Sequence, residues 1–399
     1  MSPAALARST DLFNPTPEHL ALREMVRAFA EREVEPQAAE HDRTETFNVP
    51  LFRKLGDLGL LGVTVPERFG GSGLDAVAAV IAHEELAAVD AGFTLSYLAH
   101  AMLFANNLGH NGSESQKMRF LPPACDGRSI CGMAMSEPGA GTDVLGMQTR
   151  ARRDGDGYVL DGAKMWITNG CVSKSELGDA FLVYARTSEG PKGLSLFLVE
   201  KGMPGFRLGQ KLSDKLGMRA SATAELVFDG CRVPASHLVG EEGDAVVHMM
   251  RNLELERLTL AAMSLGMARR CVEIMNGHAR ERKAFGKPLH HFGQIQRHIA
   301  DSYAEYMAGR AYVYATAARL DLGSAGNRID SDGVKLYCGT MAKNVADRAI
   351  QVLGGYGYVA EYRVERFWRD AKLIEIGGGT VEAHQKNMTR DLSQLDRLR

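Results

Sequence analysis

A long helical pattern of hydrophobic residues opens in the C-terminal half of the chain, at residues 253–258. Five residues from this point recur at alternating spacings of three and four, which places them on one face of a predicted helix: Leu253, Glu256, Leu260, Met263 and Met267. Glu256 is the one acid in this apolar stripe. The pattern therefore predicts a carboxyl group on a mostly dry helix face.

The neighbours of Glu256 along the helix carry no positive charge at spacings of three or four. Glu254 differs, because Arg251 and Arg257 lie three residues to either side of it. An acid without a cationic neighbour on an apolar face should have a raised pKa, which suits a general base near neutral pH. The alternative interpretation is a partly exposed surface acid at the start of a helix.

The periodicity of the hydrophobic residues divides the chain into three regions. Residues 1–130 have helical spacing, residues 131–240 contain short β-like runs separated by Gly, Asp and Asn, and residues 241–399 return to helical spacing. The strand spacing is typical of a small antiparallel barrel or sandwich. We therefore predict an α+β fold, mostly α, with an N-terminal helical domain, a middle antiparallel β-domain and a C-terminal helical domain.

Composition narrows the classes of function. The 399 residues carry a formal net charge of −2, which argues against a general nucleic-acid or membrane-surface binder. No apolar run approaches the length of a membrane span, and residues 1–14 lack the pattern of a signal peptide, so we expect a cytoplasmic protein. The six cysteines are scattered without a C-x-x-C pair, so we expect free thiols and no metal site.

Two stretches of the middle region have the composition of a ligand site. Residues 133–143, Met-Ala-Met-Ser-Glu-Pro-Gly-Ala-Gly-Thr-Asp, offer small residues, hydroxyls and accessible backbone N–H groups to a flat ring or a phosphate. This loop lacks the Lys of a P-loop, which disfavours nucleotide hydrolysis. Residues 164–170 place Trp166 before Thr168, so the indole could stack on an aromatic cofactor. A plain turn and a core Trp are the alternative interpretations.

Three further stretches lie in the C-terminal region. Arg282, in Arg-Lys-Ala-Phe-Gly-Lys-Pro, could hold a pyrophosphate through two parallel hydrogen bonds. Residues 355–360 fit G-x-G-x-x-A, but they follow a helical pattern without βαβ alternation, so we predict a helix end and turn instead. Glycines at 377–379 are costly in a helical context and indicate close approach of the backbone to a ligand.

Taken together, these stretches resemble the acyl-CoA dehydrogenase family from about residue 15 to residue 390. The resemblance rests on five ordered segments: residues 58–73, Met135-Ser136-Glu137-Pro138 with Gly141-Thr142-Asp143, Trp166-Ile167-Thr168-Asn169-Gly170, Arg282 with Phe285-Gly286, and Leu353-Gly354-Gly355-Tyr356-Gly357. It implies a C-terminal four-helix bundle, an FAD cofactor, an acyl-CoA substrate, an electron-transfer flavoprotein as electron acceptor and a homotetramer. Arg282 and residues 351–355 would then contact the FAD of a neighbouring subunit.

The resemblance also implies the residues of the site. Those expected to bind FAD are Met133, Met135, Ser136, Gly141, Thr142, Trp166, Ile167, Thr168, Arg282, Phe285, Gln296, Gln351, Val352, Leu353, Gly354, Gly355, Thr380, Val381 and Glu382. Those expected to touch the acyl-CoA are Thr142, Val247, Glu254, Arg257, Gly378 and Gly379. The thioester oxygen would accept hydrogen bonds from an FAD ribityl hydroxyl and from the Gly378 backbone N–H.

The catalytic acid departs from the commonest pattern of that family. Most members place it just before Gly-Thr in the late segment, where this chain has Gly378. A smaller set, including isovaleryl-CoA dehydrogenase, carries it in Leu-x-Leu-Glu-Arg-Leu, which here points to Glu256, with Glu375 as the next candidate. His384 and Gln385 replace a commonly basic pair, Val381 replaces a small residue, and Gly293 stands where Gln is usual.

The expected reaction is α,β-dehydrogenation of a short branched acyl-CoA, with isovaleryl-CoA first among the substrates. Three alternatives stay open at this point: an acyl-CoA oxidase, a biosynthetic dehydrogenase that acts on another branched or unusual thioester, and a catalytically silent protein that binds flavin or acyl-CoA.

Overall fold

The computed structural model of the protein describes residues 11–190, 193–324, 326 and 328–397. Residues 1–10 therefore lie outside the described residues. They belong to the segment, residues 1–14, for which the sequence predicts no signal peptide. Within the described part, the chain is helical at both ends and β-rich in the middle, which confirms the predicted order. No helix of this part is long and apolar enough to cross a membrane.

The N-terminal region is built from capped helices. Side chains of Thr16, Asn48, Asp75, Asp90 and Ser113 accept hydrogen bonds from the first free N–H groups of the helices that follow them, which stabilises each start. The helices are α1 (Pro17–Phe29), α2 (Glu35–Thr44), α3 (Val49–Asp57), α4 (Ala76–Ala87), α5 (Ala91–Leu98), α6 (Asn107–Asn111) and α7 (Glu114–Cys125), with π-helical turns at Ala30–Val34 and Ala99–Asn106. Every residue of α4 and α5 is buried, so these two helices form the centre of this region.

One eight-stranded sheet forms the middle region, and most of its pairings are antiparallel. Its strands are β1 (Cys131–Ala134), β2 (Arg150–Asp154), β3 (Gly157–Thr168), β4 (Ala180–Arg186), β5 (Leu194–Glu200), β6 (Phe206–Lys211), β7 (Thr223–Pro234) and β8 (Leu238–Val239). Seven of them run in the order β6-β7-β3-β2-β4-β5-β8, and β1 lies off this path, paired with β4. β1 and β2 both pair with β4 in parallel, so the sheet is mixed rather than purely antiparallel. Single-strand periodicity carries no information on strand direction, which explains this difference from the prediction.

The C-terminal region is dominated by one helix of 37 residues, α8 (Ala245–Glu281). A short hairpin follows, formed by β9 (Lys283–Ala284) and β10 (Lys287–Pro288). The remaining helices are α9 (Gly293–Ala317), α10 (Arg328–Leu353), α11 (Val364–Ile374) and α12 (Val381–Leu392). α8 packs against α10 and α9 in this region and against α4 in the N-terminal region, so it positions both.

A buried ion-pair cluster joins α8 to the N-terminal helices. Glu84 and Glu85 on α4 have no exposed side-chain surface, and they pair with Arg23 of α1, Arg269 of α8 and Arg310 of α9. Burial disfavours the carboxylate forms, but the surrounding guanidinium groups hold the pKa of Glu85 down at about 2. The cluster therefore orients four helices through charges that cannot be left unpaired.

We predict that α8 and α4 approach too closely at Gly266 to admit a side chain. A Cβ at Gly266 would lie 2.3 Å from the backbone oxygen of Glu84, so Gly266→Ala should destabilise the protein by about 1–3 kcal/mol. Gly277→Ala on the same helix is the matched control. Nothing lies within 4 Å of its Cβ, and helix propensity should stabilise that variant by up to about 1 kcal/mol. Equal melting temperatures for the two variants would contradict the close approach.

Candidate active site

Glu256 is buried on α8, with 7% of its surface exposed. Within the described part of the chain, its Oε2 has no hydrogen-bond partner. Burial raises the pKa of Glu256 to about 7, against the opposing effects of Arg257 and Lys335. The predicted dry face is confirmed, since Leu260, Met263 and Met267 are also buried. A carboxyl group with this pKa can accept a proton near neutral pH.

A cation from another helix also acts on Glu256, beyond the neighbours at spacings of three and four. Lys335 of α10 is buried and lowers the pKa of Glu256, although it lies far away in the sequence. Helical spacing along α8 could not reveal Lys335, because only the packing of α10 on α8 brings it there. Its one signal in the sequence is a lysine within a helix whose neighbours are apolar, and that pattern fits many surface lysines.

Glu254 and the two arginines that flank it in the sequence contact groups from other parts of the chain. Arg251 donates to Asn111, at 2.5 Å, and Arg257 pairs with Asp332 of α10, at 2.9 Å. Glu254 is buried and accepts from the backbone N–H of Gly326 at 3.1 Å. The two arginines are therefore engaged by groups from other elements, which spacing along one helix does not show.

The glycine run lies directly beside Glu256. It forms the turn between α11 and α12, where Gly378 and Gly379 adopt left-handed φ angles of +66° and +99°. A Cβ built at Gly378 would lie 2.2 Å from Leu260 Cδ1 and 3.4 Å from Glu256 Oε1. The early helix and the late segment therefore meet at one point. Leu260 already fills the space that a side chain at position 378 would need.

Glu375, the next candidate base, has different surroundings. Its carboxylate lies 2.6 Å from the ammonium group of Lys372, one helical turn earlier on α11. The Glu375 carboxylate is therefore already occupied by an ion pair, whereas Glu256 Oε2 has no hydrogen-bond partner among the described residues. The geometry favours Glu256.

A second group of predicted residues surrounds the loop after β1. Lys164 of β3 is fully buried, and it donates to Glu137 Oε1 at 2.8 Å and to the Met135 carbonyl at 2.9 Å. Glu137 also accepts from the backbone N–H groups of Gln148 and Thr149, so both ends of the loop are anchored. These bonds leave the loop tip open: Gly141 and Thr142 are exposed, whereas Met135 is buried and Met133 is half-buried.

Trp166 faces outward beside that loop. Its backbone has φ +60°, rare for a bulky residue, at an irregularity in the pairing of β3 with β7. The bulge leaves 54% of Trp166 exposed, and the preceding Met165 N–H donates to the Ser136 carbonyl. Ile167 is buried and Thr168 is half-buried. An exposed indole on a strained backbone beside a loop of small residues provides a platform for a flat ring.

The third group lies at the end of α8 and around the turn after α10. The Arg282 guanidinium lies 5.9 Å from the Tyr356 ring, and Phe285, at the tip of the β9–β10 hairpin, is 93% exposed. Gln296, Gln351, Gly354 and Gly355 are also exposed, whereas Val352 and Leu353 are buried. No hydrogen bond or ion pair among the described residues joins this group to the Trp166 loop. The G-x-G-x-x-A stretch follows α10 as a 3-10 turn (Gly354–Tyr358), which confirms that it is not a strand-to-helix dinucleotide loop.

The remaining predicted residues lie near the ends of α8 and α12. Val247 is exposed on the first turn of α8. Thr380 caps α12 by accepting from the Ala383 N–H, with Val381 half-buried and Glu382 exposed behind it. Across the ranges that the structure covers, no group of three or more His, Cys, Asp or Glu side chains could hold a metal ion.

Comparison with known proteins agrees with this geometry. Three family models match in order: the acyl-CoA dehydrogenase N-terminal domain at residues 16–128, the middle domain at 132–231 and the C-terminal domain at 246–393. A mitochondrial isovaleryl-CoA dehydrogenase from Oryza sativa is 42% identical over 388 residues, covering 96% of this chain and 93% of that protein.

Solved structures of the same fold include dehydrogenases named for two different acyl-CoA esters. Butyryl-CoA dehydrogenase from Megasphaera elsdenii is 34% identical with a TM-score of 0.90, covering 99% of this chain and 100% of that one. A glutaryl-CoA dehydrogenase from Mycobacterium smegmatis in complex with FADH2 is 30% identical with a TM-score of 0.90, covering 98% of each chain. The chain belongs to the acyl-CoA dehydrogenase family, the FAD-dependent oxidoreductases that act on CH–CH donors.

Proposed function

We propose that this enzyme dehydrogenates a short branched acyl-CoA, isovaleryl-CoA first, to the 2,3-enoyl-CoA, with Glu256 as the base that removes the α-proton. The observation that carries the proposal is the buried Glu256 carboxyl group, whose pKa is about 7 and which lies beside the Gly378–Gly379 turn. The 42% identity to an isovaleryl-CoA dehydrogenase supports the choice of substrate.

The chain's own groups divide the work of proton removal. A carboxylate cannot deprotonate an ordinary thioester unless the negative charge that develops on the carbonyl oxygen is stabilised. The Gly378 N–H is suited to this task, because it has no acceptor among the described residues and lies in the turn next to Glu256. Exclusion of water by the substrate strengthens that hydrogen bond and keeps the base desolvated.

Bound FAD would supply the acceptor for the β-hydrogen of the substrate, which leaves as a hydride. The residues present fit it: the exposed Trp166 offers a stacking surface, and Gly141 has nothing within 4 Å of its Cβ position, so a ring can approach the loop backbone. We assign Met133, Met135, Ser136, Thr142, Ile167 and Thr168 to the same cofactor, with Thr380 to Glu382 at the N-terminus of α12.

We also propose a homotetramer in which each FAD is shared with a neighbouring subunit. The exposed members of the third group have no hydrogen bond or ion pair to the Trp166 loop among the described residues, as such sharing requires: Arg282, Phe285, Gln296, Gln351, Gly354 and Gly355. Val352 and Leu353, which we assign to the same contact, are buried. The 93% exposure of the Phe285 ring supports an interface there, since large exposed aromatic side chains mark contact surfaces. Electrons would leave to an electron-transfer flavoprotein, on the strength of the family resemblance.

We also assign residues to the acyl-CoA and limits to the three domains. Thr142, Val247, Glu254, Arg257, Gly378 and Gly379 are assigned to the acyl-CoA, although Arg257 is buried and paired with Asp332. The domain limits 1–130, 131–240 and 241–399 follow the changes from helices to strands and back. The cytoplasmic location expected from the sequence stays a prediction.

The test of the proposed function is Glu256→Gln, which keeps the shape and removes the proton acceptor. FAD should stay bound, while the anaerobic rate of flavin reduction by isovaleryl-CoA should fall about a hundredfold to ten-thousandfold. Glu375→Gln is the matched control, because its carboxylate is neutralised by Lys372 and should not matter to the rate. Wild-type flavin reduction in Glu256→Gln would end the assignment of this base.

The rate should also depend on pH with a definite sign. Glu256 accepts a proton only when ionised, and its pKa is about 7, so kcat/KM should rise through about pH 7 and level off above it. A stopped-flow pH series with isovaleryl-CoA measures this rising part of the pH profile, the acid limb. A limb near pH 4.5, the ordinary range of a glutamate, would contradict the burial argument.

Transplantation of the carboxylate should require a third substitution. Glu256→Gly with Gly378→Glu moves the base to the late segment, but the new Cβ would lie 2.2 Å from Leu260 Cδ1. The double variant should therefore recover little activity, and adding Leu260→Ala should recover at least about tenfold more. Flavin reduction by the double and triple variants decides this, and equal rates would show that Leu260 does not limit position 378.

Substrate preference follows from the same contact. Glycine at position 378 leaves the backbone bare beside the reacting carbons, and Leu260 offers an apolar surface to a methyl branch at C3. One methyl group in such a pocket is worth about 1–3 kcal/mol, so kcat/KM for isovaleryl-CoA should exceed that for butyryl-CoA by at least about tenfold. Steady-state assays over a panel of acyl-CoA esters test this. A preference for straight chains longer than octanoyl would overturn the substrate and leave the chemistry intact.

A further inference from the structure

Behind the glycine turn lies a buried cluster of ionisable side chains that the proposed mechanism does not use. Asp332 and Lys335 come from α10, and His384 comes from α12. All three are at most 1% exposed. Burial of three such groups in one place is costly unless their contacts compensate for it.

The contacts of the cluster converge on the backbone of the turn. The Lys335 ammonium donates to the Gly379 carbonyl at 2.5 Å, and His384 Nε2 lies 3.1 Å from the same oxygen. His384 Nδ1 lies 2.6 Å from Asp332 Oδ1, which also receives the Arg257 guanidinium at 2.9 Å. Burial lowers the pKa of His384, and the Asp332 carboxylate, which accepts from its Nδ1–H, opposes that shift. Lys335 is the closer hydrogen donor to the carbonyl of Gly379.

The turn needs such a support because glycine backbones are unusually free. Its ends are held by hydrogen bonds from Gly377 N–H to the Leu373 carbonyl, at 2.7 Å, and from Val381 N–H to the Glu375 carbonyl, at 3.1 Å. Between them, the Lys335 bond ties Gly379 to α10. Small shifts of a hydrogen-bond donor relative to a reacting atom are costly in rate, so this bond matters for the Gly378 N–H.

Lys335 also acts on the charge of Glu256. The ionisable groups that act on Glu256 are Arg257 on α8, Lys335 on α10 and Tyr184 on β4. Lys335 is faced in turn by Asp332 on its own helix, Glu375 at the end of α11 and His384 on α12. Burial lowers the pKa of Lys335 to about 8, and the Glu256 carboxylate opposes that shift. The Arg257 charge is offset by Asp332, whereas the ammonium of Lys335 has the Gly379 carbonyl as its hydrogen-bond partner.

We propose that Lys335 is a positioning residue for α-proton removal: its ammonium holds the Gly379 carbonyl, which fixes the Gly378 N–H beside Glu256, and its charge favours the ionised form of the base. Asp332 limits the second cation, Arg257, and keeps His384 in place against the turn. This inference rests on the proposed function, because it assumes that Glu256 removes the proton.

The experiment isolates proton removal from the redox step. 3,3-Dimethylbutyryl-CoA has hydrogens at its α-carbon and none at C3, so the holoenzyme can exchange its α-protons in D2O without dehydrogenating it. Proton NMR measures the exchange rate against pH for wild type, Lys335→Met, Asp332→Asn and Lys343→Met. Lys343 is the matched control, because it lies on the same helix, half-buried, and its ammonium donates to Asn344 at 2.6 Å.

Lys335→Met should move the acid limb of exchange to higher pH by about one unit, since a nearby cation no longer favours the carboxylate. Its plateau rate should also fall about tenfold, because the turn loses its donor. Asp332→Asn should move the limb the opposite way, to lower pH, because Arg257 is no longer neutralised. Lys343→Met should match wild type. FAD content and circular dichroism check that each variant is folded.

Lys335→Met with an unshifted limb would overturn the inference, even if its plateau rate falls, because a merely structural role lowers the rate without moving the limb. If Lys335→Met does not fold, Asp332→Asn decides alone, and an unshifted limb there overturns the inference equally. Failure of the proposed function gives a different result. In that case the wild type neither exchanges α-protons nor reduces its flavin with any acyl-CoA, or Glu256→Gln exchanges α-protons at the wild-type rate.

Discussion

Desolvation of the Glu256 carboxyl group is the constraint around which the candidate site is arranged. Burial raises its pKa to about 7, while Arg257 and Lys335 draw it back towards the ionised form. A fully buried acid without these cations would stay protonated at neutral pH, and an exposed one would be too weak a base. The site balances the two effects within one turn of α8 and the facing turn of α10.

That balance needs a rigid frame, and α8 supplies it. The same helix carries Glu256 near its start and Arg269 further along, where Arg269 enters the buried ion-pair cluster with Glu85 of α4. Between them lies Gly266, where α8 approaches the backbone of α4 so closely that no side chain fits between the two helices. Strain or misalignment in the helical packing would therefore be transmitted to the base, since close-packed interiors do not deform freely.

The middle sheet contributes a second kind of preorganisation. Buried Lys164 and Glu137 anchor the loop after β1, and a bulge in β3 turns the Trp166 ring outward at a left-handed backbone angle. A strained backbone and an exposed indole are unfavourable in isolation, and such features persist where binding of a ligand offsets their free-energy cost. The platform and the base lie on different domains, so the packing of α8 against the sheet and its loops sets their relation.

Local periodicity determined the order of helical, β and helical regions, because helix and strand repeats are read within a few residues of each other. It also placed Glu256 on a dry stripe and identified residues 355–360 as a helix end rather than a dinucleotide loop. Strand direction was decided only by tertiary structure, since the parallel pairing of β1 and β2 with β4 depends on how the chain crosses the sheet. Tertiary structure alone also decided the partner of Arg257 and the contact of Leu260 with Gly378. It alone brought Lys335, Asp332 and His384 to the turn. Each of these joins residues on different helices, and spacing along one helix carries no information about the charges that another brings to it.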